Sequence, residues 1–168
     1  SNEYITLNDV LLPTRYGTTQ IDHIVVSPYA IFIIETKNYK GWIFGHQDSE
    51  EWKQSLLGKR RRWGWSSEQH KFRNPIRQNL AHFRAVRDIL KDVGEFTIIP
   101  IVAFSDSADL NITTPNHTVI NWCNLRSVIK SYRTPTISPD NIERIVTKLS
   151  TANITTEGSR ELHTHQVQ

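Results

Sequence analysis

Residues 21–38 read IDHIVVSPYAIFIIETKN, two β-branched, apolar runs on either side of Pro28-Tyr29. Runs of this kind, residues 20–27 and 30–37, predict two strands, and the Pro-Tyr pair predicts the loop of a hairpin between them. With the loop centred there, Asp22 lies opposite Glu35 and Gln20 opposite Lys37. Directly opposed side chains share a face, with Cβ atoms about 5 Å apart. A loop of odd length would send Asp22 and Glu35 to opposite faces, so the reading depends on loop parity. In this register one face runs from Ile24, Val26, Ile31 and Ile33 into two carboxylates, an amide and an amine.

Two ionised carboxylates so close repel each other, and such a site holds a proton or binds a cation. Oxygen donors suit a hard divalent ion, Mg²⁺ or Mn²⁺. Lys37, two residues beyond Glu35, points to the same side, within reach of a metal-bound water or a phosphate. The set suits hydrolysis of a phosphodiester: a metal lowers the pKa of its water, and a lysine orients that water and offsets charge in the transition state. The same residues also allow a plain strand-end salt bridge, with Asp22 in a turn.

The 168 residues, 38% of them hydrophobic, fit one folded domain with a polar tail. No stretch approaches the roughly 18 apolar residues of a membrane helix, and no secretion signal opens the chain, which reads as cytoplasmic. The single cysteine, Cys123, excludes an internal disulfide and a multi-cysteine zinc site, and the habits of free cysteine predict a buried small hydrophobe.

The net charge is only +3, but ten of the twenty lysines and arginines lie between Lys53 and Arg87 against one acid, Glu68. That segment predicts a polyanion-facing surface. Within it, residues 58–73 read GKRRRWGWSSEQHKFR, without a period, as an exposed loop or an irregular hairpin. Lys59, Arg60, Arg61, Arg62, Lys71 and Arg73 can contact phosphates, and Trp63, Trp65 and Phe72 can stack on unpaired bases. Alternatively the tryptophans anchor the segment on the core and the cations are merely solvated.

Elsewhere, strands are predicted over residues 4–12, 42–44, 51–57, 96–104 and 118–120. Asn74 caps a helix with Pro75 in its first position. Ile76, Leu80, Phe83, Val86 and Leu90 form its apolar stripe, and Ala81, Ala85, Ile89 and Val93 a smaller second strip, so the helix reads as covered on both sides. Residues 124–132 and 139–149, the latter capped by Ser138, predict two closing helices.

Gln20-Ile21-Asp22-His23, Ile33-Ile34-Glu35-Thr36-Lys37-Asn38, Gly41-Trp42-Ile43-Phe44-Gly45, Trp52, and Asn74-Pro75-Ile76-Arg77-Gln78-Asn79 with His82 together resemble the nuclease-related domain (NERD) family of the PD-(D/E)xK restriction-endonuclease-like superfamily. The resemblance covers residues 8–90. It implies an α/β fold with a mixed central β-sheet flanked by helices, and Mg²⁺- or Mn²⁺-dependent hydrolysis of DNA phosphodiester bonds. It assigns Asp22 and Glu35 as metal ligands, Lys37 as the catalytic lysine and Gln78 as the polar helix residue of the site; the hairpin register adds Gln20 in support, and His82, near Gln78 on the helix, reads as a structural hydrogen-bonder. It implies nucleic acid as the partner, DNA ahead of RNA, with fused helicase, kinase or zinc-ribbon modules and pairing of two subunits as family habits. The family's leading helix, with its glutamate, has no counterpart, because only Ser1 to Glu3 precede Tyr4. Residues 1–152 therefore read as such a domain truncated at its N-terminal helix, and residues 153–168 as a tail or linker. The other functional reading is a nuclease-fold module without turnover that binds nucleic acid through residues 58–73.

Overall fold

The hairpin around Pro28 lies at the centre of the larger of two sheets in the computed structural model, which describes residues 3–154, the Lys59 side chain excepted. The tail expected from residue 153 falls outside the described residues beyond Ile154. In chain order the strands are β1 (Ile5–Thr14), β2 (Gly17–Val26), β3 (Ile31–Lys37), β4 (Gly41–His46), β5 (Glu51–Arg61), β6 (Gly64–Arg73), β7 (Ile98–Phe104), β8 (Ala108–Thr113) and β9 (Thr118–Asn121); the helices are α1 (Pro75–Ile89), α2 (Trp122–Ser131) and α3 (Pro139–Ala152).

The larger sheet has the order β1-β2-β3-β7-β9, antiparallel from β1 to β3 and parallel from β3 to β9. On one side α1 and α3 pack Val86, Leu90, Ile145 and Leu149 against Leu12, Ile24, Ile31 and Ile33. On the other, Leu125, Val128 and Ile129 of α2 lie over Phe32, Ile34, Ile101 and Ala103. Strands covered on both faces need apolar residues at every position, which is why β3 and β7 read as continuous runs. The result is the α/β architecture expected, a mixed central sheet flanked by helices.

The smaller sheet, β6-β5-β4-β8, is covered on one face only among the described residues. Ile43 and Trp52 pack there with Phe72 and Leu110 against Ile76, Val102 and Phe104. The Trp52 and Phe104 rings lie nearly parallel, with centroids 6.2 Å apart. Gly45 makes this possible, because a Cβ on it would sit 2.2 Å from the Trp52 ring.

Asn74 ties the two sheets together. Its Oδ1 accepts the Ile76 N–H as the cap of α1, and its Nδ2 donates to the carbonyls of Gln47 and Ser49 in the β4–β5 turn. Among the described residues no helix is long and apolar enough to cross a membrane.

Three local expectations are corrected. Residues 105–117, from which no element was expected, contain β8; it alternates inward Ala108, Leu110 and Ile112 with outward Asp109, Asn111 and Thr113, but weak strand formers blur the signal. Helix α1 is covered on one side only: Ala81 is exposed, and the buried face carries Asn79 and His82 beside Ile76, Ala85 and Val86, polar residues that a count of apolar spacing passes over. Cys123 is exposed, because α2 packs through Leu125, Val128 and Ile129 and leaves its first turn outside the core.

Candidate active site

The β2–β3 ladder pairs Val26 with Ile31, Val25 with Phe32, Ile24 with Ile33 and His23 with Ile34, the parity that places Asp22 next in line with Glu35. There the ladder stops. Ile21 and Ile24 both enter the same core, an odd spacing that requires β2 to turn its faces over between them. Across the sheet, the β1–β2 pairs Asn8 with His23 and Val10 with Ile21 skip the rung between Asp9 and Asp22, and Asp9 adopts φ +51°.

Freed by this break, the Asp22 side chain folds onto β3. Its Oδ2 accepts from both the backbone N and the Oγ1 of Thr36, each at 2.7 Å. The carboxylate oxygen thus takes the place that a ladder carbonyl would have filled, and half-buried Asp22 is held by two donors on one oxygen.

Glu35 stands on the α1 side of β3 with 3% of its surface exposed. Its Oε1 lies 2.8 Å from Lys37 Nζ, which also donates to Gln78 Oε1 at 3.1 Å. Its Oε2 is buried and accepts no hydrogen bond, with His82 Nδ1 3.6 Å away. Burial pushes the Glu35 carboxyl above its ordinary range; Lys37 pulls it back in part, and the nearby Asp22 charge pushes it further up.

Helix α1 reaches this spot through Asn79. Its Nδ2 donates to the carbonyls of Ile33 at 3.1 Å and Ile101 at 3.0 Å, pinning the helix across β3 and β7. With both amide hydrogens so used, Asn79 Oδ1 accepts, and His82 Nδ1, 3.3 Å from it, carries the hydrogen in this network. One turn of helix thereby sets Gln78 over Lys37 and His82 over Glu35.

The structure therefore brings Glu35, Lys37, Gln78 and His82 into one cluster, with Asp22 beside it on Thr36. Gln20 does not join: it is exposed, pairs with Leu11 in the β1–β2 ladder, and lies beyond the turnover at Asp22. Thr36 and Asn79 were not singled out by the sequence. The available signal was the spacing of Ile76, Asn79 and His82 at steps of three along one helical face.

Among the described residues no three His, Cys, Asp or Glu side chains converge as a metal cage. A magnesium-like ion is commonly bound by one or two carboxylates with waters or substrate phosphates as its other ligands, and Asp22 and Glu35 are the residues here that could hold one. A buried carboxylate oxygen without a hydrogen-bond donor is the kind of atom that a cation would satisfy.

Of the two expected forms residues 58–73 take the irregular hairpin: they supply the end of β5, the two-residue turn at Arg62-Trp63 and the whole of β6 down to Arg73 opposite Glu51, with a bulge between Leu57 and Arg60. Arg60, Arg61 and Arg62 are exposed, as are Lys71 and Arg73, and Lys71 lies 3.5 Å from Glu51. Trp63 is 92% and Trp65 62% exposed, so neither ring anchors the hairpin. Phe72 does, packing inward against Trp52 and Tyr39, and is removed from the set of stacking residues. A groove at the root of this arm, lined by Lys40, Gly41, Leu56, Leu57, Gly58 and Glu68, includes none of the clustered residues.

A family model described as a nuclease-related domain matches residues 1–105. An uncharacterized protein of Bacillus anthracis is 30% identical over 164 residues, covering 95% of this chain and 72% of that protein. No solved structure matches this chain.

Proposed function

The chain belongs to the nuclease-related domain family, and from that premise we propose that it is a divalent-metal-dependent nuclease hydrolysing DNA phosphodiester bonds. The observation that carries this reading is Glu35 Oε2, a buried, undonated carboxylate oxygen on a side chain already facing a lysine. Asp22 and Glu35 would hold Mg²⁺ or Mn²⁺, with Thr36 fixing Asp22 through two hydrogen bonds. When bound, the ion would lower the pKa of a coordinated water and offset charge on the phosphoryl oxygens.

The chain's own residues supply the rest. Lys37 Nζ, held between Glu35 Oε1 and Gln78 Oε1, has a third hydrogen to give to the attacking water or to a phosphoryl oxygen. Gln78 orients that amine and is a positioning residue. His82 and Asn79 keep α1 at the distance that this requires. Arg60, Arg61 and Arg62, on an arm with little opposing charge, hold the phosphate backbone without regard to sequence. A cytoplasmic location, a fused helicase, kinase or zinc-ribbon module, and cutting of two strands by paired subunits belong to the same proposal.

The exposure of Trp63 favours one second reading, a nuclease-fold module that binds nucleic acid without turning it over. Cleavage of supercoiled plasmid and of single-stranded DNA in Mg²⁺ and in Mn²⁺, beside Glu35→Ala purified identically, separates the two. Cutting by the parent alone supports the nuclease. No cutting by either, with salt-sensitive binding that survives Glu35→Ala and fails once Arg60, Arg61 and Arg62 are neutralised, supports the module. Equal cutting by both removes Glu35 from the reaction.

A further inference from the structure

The outer face of the four-stranded sheet, on which none of the described residues packs as a further layer, has no part in the cluster around Glu35, and its register gives it a definite composition. Trp42 pairs with Ser55 and Phe44 with Lys53 across β4–β5, while Ser55 pairs with Gln69 and Lys53 with Lys71 across β5–β6. Directly opposed residues share a face, and the inward residues of the same strands are Ile43, Trp52 and Phe72. Trp42 and Phe44 therefore stand on the outer face, 41% and 45% exposed, beside a row containing Lys53 and Lys71. One rung along lies Arg73, opposite Glu51. Towards the arm the same side of β6 continues to Trp65, opposite Arg60 beyond the bulge.

Exposed rings on a sheet are costly in water, and here they are bordered by cations rather than by a helix. Trp42 and Phe44, two residues apart on one strand, are separated by about 6.6 Å, near the reach from one nucleotide to the next in an extended single strand. Lys53 is one strand away and Lys71 two, about 5 and 10 Å across the sheet, where a backbone running beside stacked bases would place its phosphates. Two acids mark the limits: Glu51 is paired with Lys71, and Asp109 flanks Trp42 on the β8 side. The strand would accordingly run on the β5–β6 side of the rings.

We propose that this face is a platform for single-stranded DNA, with unpaired bases stacked on Trp42 and Phe44 and the backbone held by Lys53, Lys71 and Arg73. Duplex DNA offers no base faces to these rings. A surface four strands wide, about 14 Å, also exceeds a major groove that admits a two-stranded ribbon. The platform names the substrate class for the nuclease reading and rests on that reading for its purpose, but not for its binding.

The test is fluorescence anisotropy of a labelled oligothymidylate of about 15 nucleotides, in EDTA, against a duplex of equal length and an oligouridylate. The parent and Glu35→Ala should bind the single-stranded DNA alike and more tightly than the duplex. Trp42→Ala combined with Phe44→Ala should weaken it at least tenfold, since each stacked base contributes appreciably. Lys53→Gln should flatten the dependence of log affinity on log salt by about 0.7. Phe44→Ala alone serves as a milder ring variant should the double variant fail to fold, and parental affinity in it would equally overturn the platform.

Equal binding of duplex, preference for the RNA oligomer, or parental affinity in a folded double variant would each overturn the platform. So would a parent dimer that the double variant dissociates, with no DNA bound by either. Single-strand binding without cleavage by the parent leaves the platform standing and removes the nuclease; duplex cleavage without single-strand binding does the reverse.

Discussion

Glu35 and Trp63 lie near opposite extremes of exposure, 3% and 92%. The carboxylate stands on a strand covered by helices on both sides, and neighbours determine every atom around it: Lys37 on one oxygen, His82 near the other, Asn79 fixing the helix above. The tryptophan caps a two-stranded arm that outruns β4, whose last pair with β5 is Trp42 with Ser55. Beyond Ser55 the two strands of the arm pair only with each other, whereas the cluster is packed on every side. A site that moves a proton needs fixed distances; a surface that follows a flexible polymer needs the reverse. On the reading proposed above, the two sheets divide these tasks between them.

The sharpest way to break this division is at Lys37. Lys37→Met keeps the length of the stem and removes the amine, and should lower cleavage by about 100- to 1,000-fold, the usual loss for one donor to a transition-state charge. Single-strand affinity, measured in EDTA, should stay within a factor of two. An equal loss in both would mean that the lysine serves binding and that the two regions are not separate.

Next in size is the difference in stability. Asn79→Leu leaves the Ile33 and Ile101 carbonyls without their side-chain donor and should cost about 2 kcal/mol, a fall in Tm of roughly 4–8 °C. Trp63→Ser, on the free arm, should stay within about 0.5 kcal/mol of the parent. Thermal melting of both variants checks the pair. A large loss from Trp63→Ser would show the arm to be held on the body after all.

How much of this was legible follows the same line. The fold of the large sheet was, because β3 and β7 are buried on both sides and announce it in unbroken apolar runs. The hairpin parity was also legible, since loop position alone sets which residues face each other. The turnover at Asp22 was not: it depends on Asp9, a partner across the sheet that no local pattern around Glu35-Thr36-Lys37 announces. For the same reason Gln20 was misplaced. Asn79 escaped because it contributes no hydrophobicity, although a buried amide holding two strands is as structural as any leucine. On the small sheet, Phe72 and Trp65 look alike in a basic, aromatic stretch, and only the pairing of Trp52 with Phe72 shows which face turns inward.

The smallest expected effect concerns the proton on Glu35. Burial raises its pKa above 4.5, chiefly by penalising the charged form, more than Lys37 lowers it. A carboxyl whose folded pKa lies above its unfolded value binds its proton more tightly when folded. Its stabilising contribution is complete below the unfolded pKa and declines as pH rises through the folded one. Glu35→Gln removes that decline. In EDTA the variant should match the parent at low pH and melt higher than it above neutral pH, the gap opening as pH rises through the folded pKa of Glu35. Mg²⁺ should raise the parent's Tm and leave the variant's unchanged, because only the charged pair gives a cation a reason to bind the native state. A variant that melts lower than the parent at pH 8 would instead mean that the Lys37–Glu35 ion pair outweighs the burial of the charge, making the carboxylate a structural salt bridge rather than the proposed metal ligand.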